Sequence, residues 1–413
     1  MRSGITAAVV TWNAAGIADD LVSTLGPLMD RCRVVVSDND STDGTPEILR
    51  NRLPGLEVLR NRANGGFGYG CNRVLESCGT EYLLLLNADA RITPSGVDSL
   101  AGHLGRFGGA GGVQPLVRLW GWPLITLSAG CSMTGHGYGY DMDFMHFDPA
   151  PSRLVDEVPC ITAALSLWRT SVLREIGGFD ERMFMYFEDV DLGLRVRGTG
   201  RSLLLAGDVE AEHVSGASSG RSSAERWELR SAAYLTMKYL GSGKLPAYWR
   251  RSEGRAVLGR FLRCRPWMWR LREVMSARKA GGLPVELPEG VISSVLEPRP
   301  LRMPNPRPPA PSFNEGFNGP ISAGPGWDGG RTGPWGFGCI GTDKCGGTLE
   351  LKVCSPVSGG TVALWSDSAV LDRTYIGAGR RAVLRGELPA GGRRAYLVPD
   401  NGGQTVELEE AHI

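Results

Sequence analysis

The sequence predicts an α/β unit built on a mostly parallel sheet, followed by a small all-β sandwich. Three observations carry that expectation. Short apolar runs alternate with helical patterns over the first hundred residues, which implies crossover connections and helices on both faces of a sheet. Seven prolines fall within residues 298–311, an extended and semi-rigid stretch. Beyond it helical periodicity gives way to short alternating runs separated by Gly, Pro and Asp turns. Glycine follows the same division, with 21 of the chain's 58 lying in residues 313–413. The expected organisation is therefore residues 1–283, a Pro-rich linker over 284–312, and a sandwich over 313–413.

Ile5–Val10, Arg33–Val36, Leu56–Leu59 and Tyr82–Leu86 are continuous apolar runs, as expected of strands buried on both faces. Ile17–Met29, Thr45–Arg52 and Phe67–Cys78 carry helical spacing, and Asp43-Gly44-Thr45-Pro46 supplies a helix start. Residues 244–279 hold eleven Lys or Arg against two Glu, interleaved with apolar residues at helical spacing. That pattern fits a surface helix with snorkelling arginines, or a basic face touching anionic lipid at the inner membrane surface or a lipid-phosphate acceptor. In the C-terminal part Thr348–Val353, Thr361–Trp365, Arg381–Leu384 and Ala395–Val398 alternate as strands do.

Composition excludes several classes. A chain of 413 residues with 42% hydrophobic and 22% charged residues is globular and long enough for two domains. A net charge of +1 argues against binding nucleic acid with the whole surface. None of the nine cysteines forms a Cys-x-x-Cys pair, so zinc knuckles and thioredoxin chemistry are not indicated. The opening MRSGITAAVVTWN lacks a secretory apolar core, and Tyr82–Leu86 is far too short to span a membrane. A cytoplasmic location with reduced thiols is the expectation.

In parallel sheets ligands lie beyond the carboxyl ends of the strands, so those positions are read for chemistry. Thr11-Trp12-Asn13 follows the first strand. Asp38-Asn39-Asp40-Ser41-Thr42-Asp43-Gly44 follows the second. Asp38 is suited to accept the imide N–H of a uracil or thymine ring, whereas Asp43 and Thr45 suit a structural cap. Asn64-Gly65-Gly66 opens the third helix, where a helix N-terminus favours a diphosphate. It is not a dinucleotide fingerprint, which argues against a nicotinamide-dependent oxidoreductase. Asp89, in Leu86-Asn87-Ala88-Asp89, is a candidate oxygen ligand for Mg²⁺ or Mn²⁺. Further on, Glu188 or Asp189 is a candidate general base, while Asp191 and Arg195 are spaced for an i,i+4 ion pair. His213 follows the apolar run Ser202–Ala206 as a lone candidate ligand.

Taken in order, VTWN, SDNDSTDG, NGGFGYGCN, LLLNADA, GGFDERMFMYFEDVDLGLR and EHVSG resemble the family 2 glycosyltransferases of GT-A fold, most closely their bacterial rhamnosyltransferase-like branch. The resemblance covers residues 5–240. It implies a nucleotide-diphosphate sugar donor, with dTDP-rhamnose the branch's commonest suggestion, a divalent metal (Mg or Mn), and inversion at the anomeric carbon. The implied acceptor is a glycan or lipid-linked hydroxyl in cell-surface polysaccharide assembly, with no nucleic-acid partner. Carried over by position, Thr11, Asn13 and Asp38 hold the nucleoside, with Asn64 and Gly66 near the ribose-diphosphate. Asp89 and His213 bind metal and Asp189 is the base. Asn87 stands where the family's Asp-x-Asp motif has its first acid, so one negative charge fewer faces the ion. The competing reading is a non-catalytic nucleotide-sugar or glycan-binding protein with a degraded metal site. Gly326-Trp327, Arg331 and Trp335-Gly336 look similar to jelly-roll modules attached to some bacterial glycosyltransferases, and Cys339, Cys345 and Cys354 are expected as buried thiols.

Overall fold

The computed structural model describes residues 4–134, 137–214, 221–240, Val291 and, further on, 321–323, 327–328, 331–332, 338–342, 347–355, 360–389, 392–399 and 406–412. The basic stretch 244–279 and the proline-rich 298–311 lie outside the described residues. The chain divides into two compact units. The first comprises Met1–Gly121, Thr126–Phe144 and Pro151–Arg299; the second comprises Trp122–Ile125, Met145–Ala150 and Pro300–Ile413.

In chain order the strands up to residue 213 are β1 (Ile5–Thr11), β2 (Arg33–Asp38), β3 (Glu57–Arg60), β4 (Tyr82–Asn87), β5 (Ala90–Arg91), β6 (Ala110–Leu119), β7 (Trp122–Ser128), β8 (Cys131–Met133), β9 (Gly139–Asp141), β10 (His146–Phe147), β11 (Val155–Glu157), β12 (Leu165–Arg169) and β13 (Ser202–His213). The helices are α1 (Ala18–Met29), α2 (Thr45–Arg52), α3 (Phe67–Ser77), α4 (Pro94–Arg106), α5 (Thr170–Glu175), α6 (Glu188–Gly198) and α7 (Arg221–Leu235). A single π-helical turn, Thr236–Leu240, continues α7.

The central order is β6-β12-β4-β1-β2-β3, and β13 lies beside β6. β1, β2, β3 and β4 run parallel. β12 runs antiparallel to both β4 and β6, so the sheet is mixed rather than mostly parallel. Apolar runs with no polar side are buried on both faces, as a sheet covered by two layers requires. Ala7, Val9, Val36, Leu84 and Leu86 pack against Leu21, Leu25, Leu49 and Leu100 of α1, α2 and α4. The alternate residues Ala8, Val35, Leu83 and Leu85 pack against Val74, Val172, Leu192 and Val196 of α3, α5 and α6. Strand ends differ from the sequence expectation by one or two residues in β1–β4, while the run Ser202–Ala206 grows into a twelve-residue strand with a register shift between Ala206 and Glu210.

The second unit is an all-β sandwich. Its strands are β14 (Ile321–Ala323), β15 (Trp327–Asp328), β16 (Arg331–Thr332), β17 (Gly338–Thr342), β18 (Gly347–Ser355), β19 (Gly360–Trp365), β20 (Val370–Ile376), β21 (Arg380–Leu388), β22 (Arg394–Pro399) and β23 (Glu407–His412). They form two five-stranded sheets, β14-β17-β22-β19-β20 and β15-β16-β23-β18-β21. Leu349, Leu351, Val353, Val362, Leu364, Leu384 and Leu397 fill the core between them. Cys339 is buried as expected. Cys354 is only half-buried, a correction that follows from strand alternation: Val353 faces the core, so its neighbour faces outward. Cys345 and Trp335 lie outside the described residues.

Trp168 of β12 is fully buried and pairs in register with Gly112 of β6. A Cβ on Gly112 would stand 2.7 Å from the indole and 2.9 Å from Ile161. Gly112→Ala should therefore cost about 1–3 kcal/mol through overpacking, read as a lower urea midpoint. An unchanged midpoint would mean that the indole can shift freely.

Candidate active site at the carboxyl edge of the sheet

Parallel register sets the edge. Thr11 pairs with Asp38, and Val10 pairs with Asn87, so the ends of β1, β2 and β4 lie side by side. β13 runs parallel to β6 and ends at the same edge. Its last residues pair antiparallel with β5, Glu212 with Arg91 and His213 with Ala90. The Val214 N–H donates to Asp89 O at 3.0 Å. This pairing carries a histidine 124 residues away in sequence onto the Asn87–Asp89 turn. His213 Nε2 lies 3.0 Å from Asp89 Oδ1 and 3.4 Å from the Asn87 amide nitrogen as assigned. Rotating that amide by half a turn would present its oxygen instead. Asp89 is buried and His213 partly so.

One carboxylate, one imidazole and one amide make a compact oxygen and nitrogen donor set with a single negative charge. It fits a Mn²⁺-like divalent ion better than Mg²⁺, which prefers oxygen throughout. Among the described residues no three His, Cys, Asp or Glu side chains converge as a metal cage. The third member here is an amide.

Asp189 lies in the first turn of α6, half-buried. Its carboxylate accepts from the Val190 N–H at 2.8 Å and the Ala163 N–H at 3.4 Å. Asn87 N–H donates to Ala164 O at 2.8 Å, so the short segment 163–164 links Asp189 to the Asn87–His213 cluster. Burial raises the Asp189 pKa, partly offset by those hydrogen bonds. Glu188 is buried, and its Oε2 has no hydrogen-bond partner among the described residues. Burial, reinforced by the Asp189 charge, pushes it up to about 8. Burial thus raises both neighbouring acids, and Glu188 is the one held protonated near neutral pH. The Asp191–Arg195 pair is present at 2.8 Å, and Lys238 and Tyr239 also bond Asp191, fixing α6 against the π-helical turn.

Asp141 of β9 was not singled out in the sequence. It borders the same space: burial and the Asp189 charge push its pKa up to about 7, opposed by a Ser128 hydrogen bond and the His213 charge. Its only sequence signal is an acid in Tyr138-Gly139-Tyr140-Asp141, which any turn could supply.

The nucleoside edge needs two corrections. Asp38 is fully buried and accepts from Thr11 Oγ1 at 3.0 Å, Ser41 Oγ at 2.6 Å and Ser41 N–H at 3.0 Å. Its carboxylate thus organises the turn, and so does the buried Thr11 hydroxyl. The exposed groups here are Trp12, Asn13, Asp40, Thr42 and Asp43, the last of them tied into the turn. Asn13 takes a left-handed backbone (φ 50°), held by Ser41 Oγ and by the Thr42 N–H. The second correction concerns α3. Gly66 (φ +91°) brings the backbone against Phe184 O, where a Cβ would stand 2.0 Å away. The first amide of α3, Phe67 N–H, donates to Phe184 O at 3.0 Å, so the chain itself takes up one of the amides at this N-terminus. Asn64 Oδ1 accepts from Gly66 N–H at 3.0 Å, and Asn39 Nδ2 donates to Gly66 O at 2.9 Å. As expected, Asp43 and Thr45 are structural: Asp43 receives Ala15 N–H at 2.8 Å and Thr45 receives Ala14 N–H at 2.8 Å.

Comparison with known proteins follows this geometry. Residues 6–118 match the family described as Glycosyl transferase family 2. The N-acetylglucosaminyl-diphospho-decaprenol L-rhamnosyltransferase of Mycobacterium tuberculosis is 26% identical over 274 residues, which cover 60% of this chain and 89% of that one. Among solved structures, GalNAc-T7 with UDP, GalNAc and Mn²⁺ matches with TM-score 0.47 and 14% identity, over 61% of this chain and 51% of that chain. The match thus spans about half of the GalNAc-T7 chain. A mannosyltransferase from Pyrobaculum calidifontis in complex with GDP-Man and Mn²⁺ matches with TM-score 0.39 and 17% identity, over 68% of this chain and 88% of that chain.

The Glu188 environment yields a pH prediction. Folded Glu188 keeps its proton up to about 8, whereas an ordinary glutamate releases it near 4.5. Unfolding within that window releases a proton, so stability falls as pH rises from about 4.5 to about 8. Glu188→Gln should flatten the fall, measured as melting temperature against pH. Parallel curves for the two proteins would remove Glu188 as its source.

Proposed function

We propose that this chain, which carries a family 2 glycosyltransferase domain over residues 6–118, transfers a sugar with inversion from a nucleotide-diphosphate donor to a hydroxyl of a lipid-linked glycan. The observation that carries the proposal is the meeting of Asn87, Asp89 and His213 at one strand edge, linked to Asp189 through residues 163–164. The retained donor set and base favour catalysis over a binding-only role.

A sugar hydroxyl is a weak nucleophile and needs a base as it attacks the anomeric carbon. Asp189 is the proposed acceptor of that proton, because residues 163–164 link it to the Asn87–His213 cluster while Glu188 stays protonated. Asn87, Asp89 and His213 are the proposed holders of a divalent ion, which when bound offsets the negative charge growing on the leaving diphosphate. Displacement from the face opposite the leaving group inverts the centre. Thr11, Asn13, Asp38, Asn64 and Gly66 are proposed to shape the nucleoside edge, the buried members holding it while Asn13, Trp12 and Asp40 face the ligand. The M. tuberculosis relative is named for rhamnose transfer to N-acetylglucosaminyl-diphospho-decaprenol, and we propose the same donor sugar and acceptor class here.

Among the described residues no helix is long and apolar enough to cross a membrane. A cytoplasmic protein touching the inner membrane face through residues 244–279 is the proposed location. The sandwich over 313–413 is a proposed accessory domain joined through a linker at 284–312.

Transfer from dTDP-rhamnose to N-acetylglucosaminyl-diphospho-decaprenol with Mn²⁺ present is the direct test, and no transfer would count against this donor and acceptor. Asp189→Asn should lower kcat by about two to four orders of magnitude with donor binding kept by calorimetry. Near-normal turnover would remove Asp189 as the base. Asn87→Asp adds the missing charge and should tighten Mn²⁺ binding by about tenfold, read by calorimetric titration. Unchanged affinity would place Asn87 outside the ion's shell.

A further inference from the structure

We infer that Asn72 is a positioning residue for Asp189, strapping residues 179–184 to α3 and so fixing the strained entry into α6. The inference deepens the proposed function and rests on the reading of Asp189 as proton acceptor.

Asn72 lies on α3, and its amide grips one residue by both backbone groups. Its Oδ1 accepts the Phe179 N–H at 2.8 Å, and its Nδ2 donates to Phe179 O at 3.0 Å and to Glu181 Oε1 at 2.9 Å. Five residues on, Phe184 O receives the Phe67 N–H at the start of the same helix. The Phe67 and Phe179 rings meet edge to face at 5.9 Å between the two ties. The segment is therefore fixed to α3 at both ends.

Immediately beyond it Tyr186 and Phe187 take left-handed backbone, φ 67° and 63°, and Asp189 follows two residues later. Two consecutive bulky residues in that region persist only where their surroundings over-determine them. On the opposite side Met185 O accepts from Ser231 Oγ at 2.9 Å, Phe184 stacks on Trp227 at 4.4 Å, and Phe187 packs on Tyr138 at 4.9 Å. Strap and counter-packing together hold the turn. Without the strap, residues 186–187 relax toward right-handed backbone and the first turn of α6 re-aims Asp189. A displacement of about 1 Å at a reacting group can cost about a hundredfold in rate. A plain structural clamp would instead lower stability and leave the chemistry of the folded fraction intact.

Asn72→Ala tests the difference, with folding checked by circular dichroism. Two readouts are taken: hydrogen exchange over residues 182–190, and steady-state transfer from dTDP-rhamnose. Expected are faster exchange confined to 182–190 and a tenfold to hundredfold loss of kcat with donor KM within about twofold. Asn72→Ser keeps a short polar side chain able to meet at most one of the Phe179 backbone groups; it should show the same pattern more weakly, and it carries the test if Asn72→Ala does not fold. Wild-type kcat in a folded variant, or exchange rising evenly across the sheet, would overturn the inference. If the wild-type protein transfers no sugar, the functional reading falls, while the exchange pattern still decides whether the strap holds this turn.

Discussion

The pairing of β13 with β5 is the contact on which the site depends. Two backbone pairs, Glu212 with Arg91 and His213 with Ala90, join the last strand of the sheet to the turn after β4. Parallel β1, β2 and β4 bring Thr11, Asp38 and Asn87 to one edge, but none of these strand ends supplies an imidazole. β13 does so because it runs beside β6 and bends at its register shift toward that same edge. Asn87, Asp89 and His213 become a cluster through backbone hydrogen bonding, before any side-chain chemistry is considered.

Charge then differentiates the acids around that edge. Asp89 contacts the imidazole, whereas Asp141, Glu188 and Asp189 share a space in which burial disfavours ionisation. Glu188 and Asp189 are adjacent in sequence yet differ in surroundings. Glu188 is buried with one oxygen unpartnered among the described residues, while Asp189 accepts two backbone N–H groups. Hydrogen bonds to a carboxylate favour its charged form, so those to Asp189 offset part of the burial that raises both acids.

The segment leading into α6 shows how such a site is kept in place. Each left-handed aromatic residue costs about 1–3 kcal/mol in backbone energy, and the surrounding contacts come from α3 on one side and α7 on the other. Behind it, Asp191 is buried with Arg195 and Lys238 and anchors the next turn of the helix. Paired buried charges of this kind fix orientation more than they stabilise.

The sequence by itself determined the local elements and the order of the chemistry. Periodicity located β1–β4 and α1–α3 because burial on two faces imposes apolar runs and a helix imposes 3.6-residue spacing. The glycine and proline shift separated a stretch with helical periodicity from one without it, and Asp89, Asp189 and His213 stood out by type and place. Tertiary structure decided the rest. Antiparallel β12 is invisible to periodicity, since a buried strand reads alike in either direction. Asp38 looked like a ligand-facing acid, yet Thr11 and Ser41 enclose it; Gly66 looked like a ligand approach, yet Phe184 occupies the space. Asp141 gave no sequence signal, because only long-range pairing brings β9 near α6. Local composition records which groups a segment offers; which of them face a ligand and which face one another depends on contacts between residues a hundred positions apart.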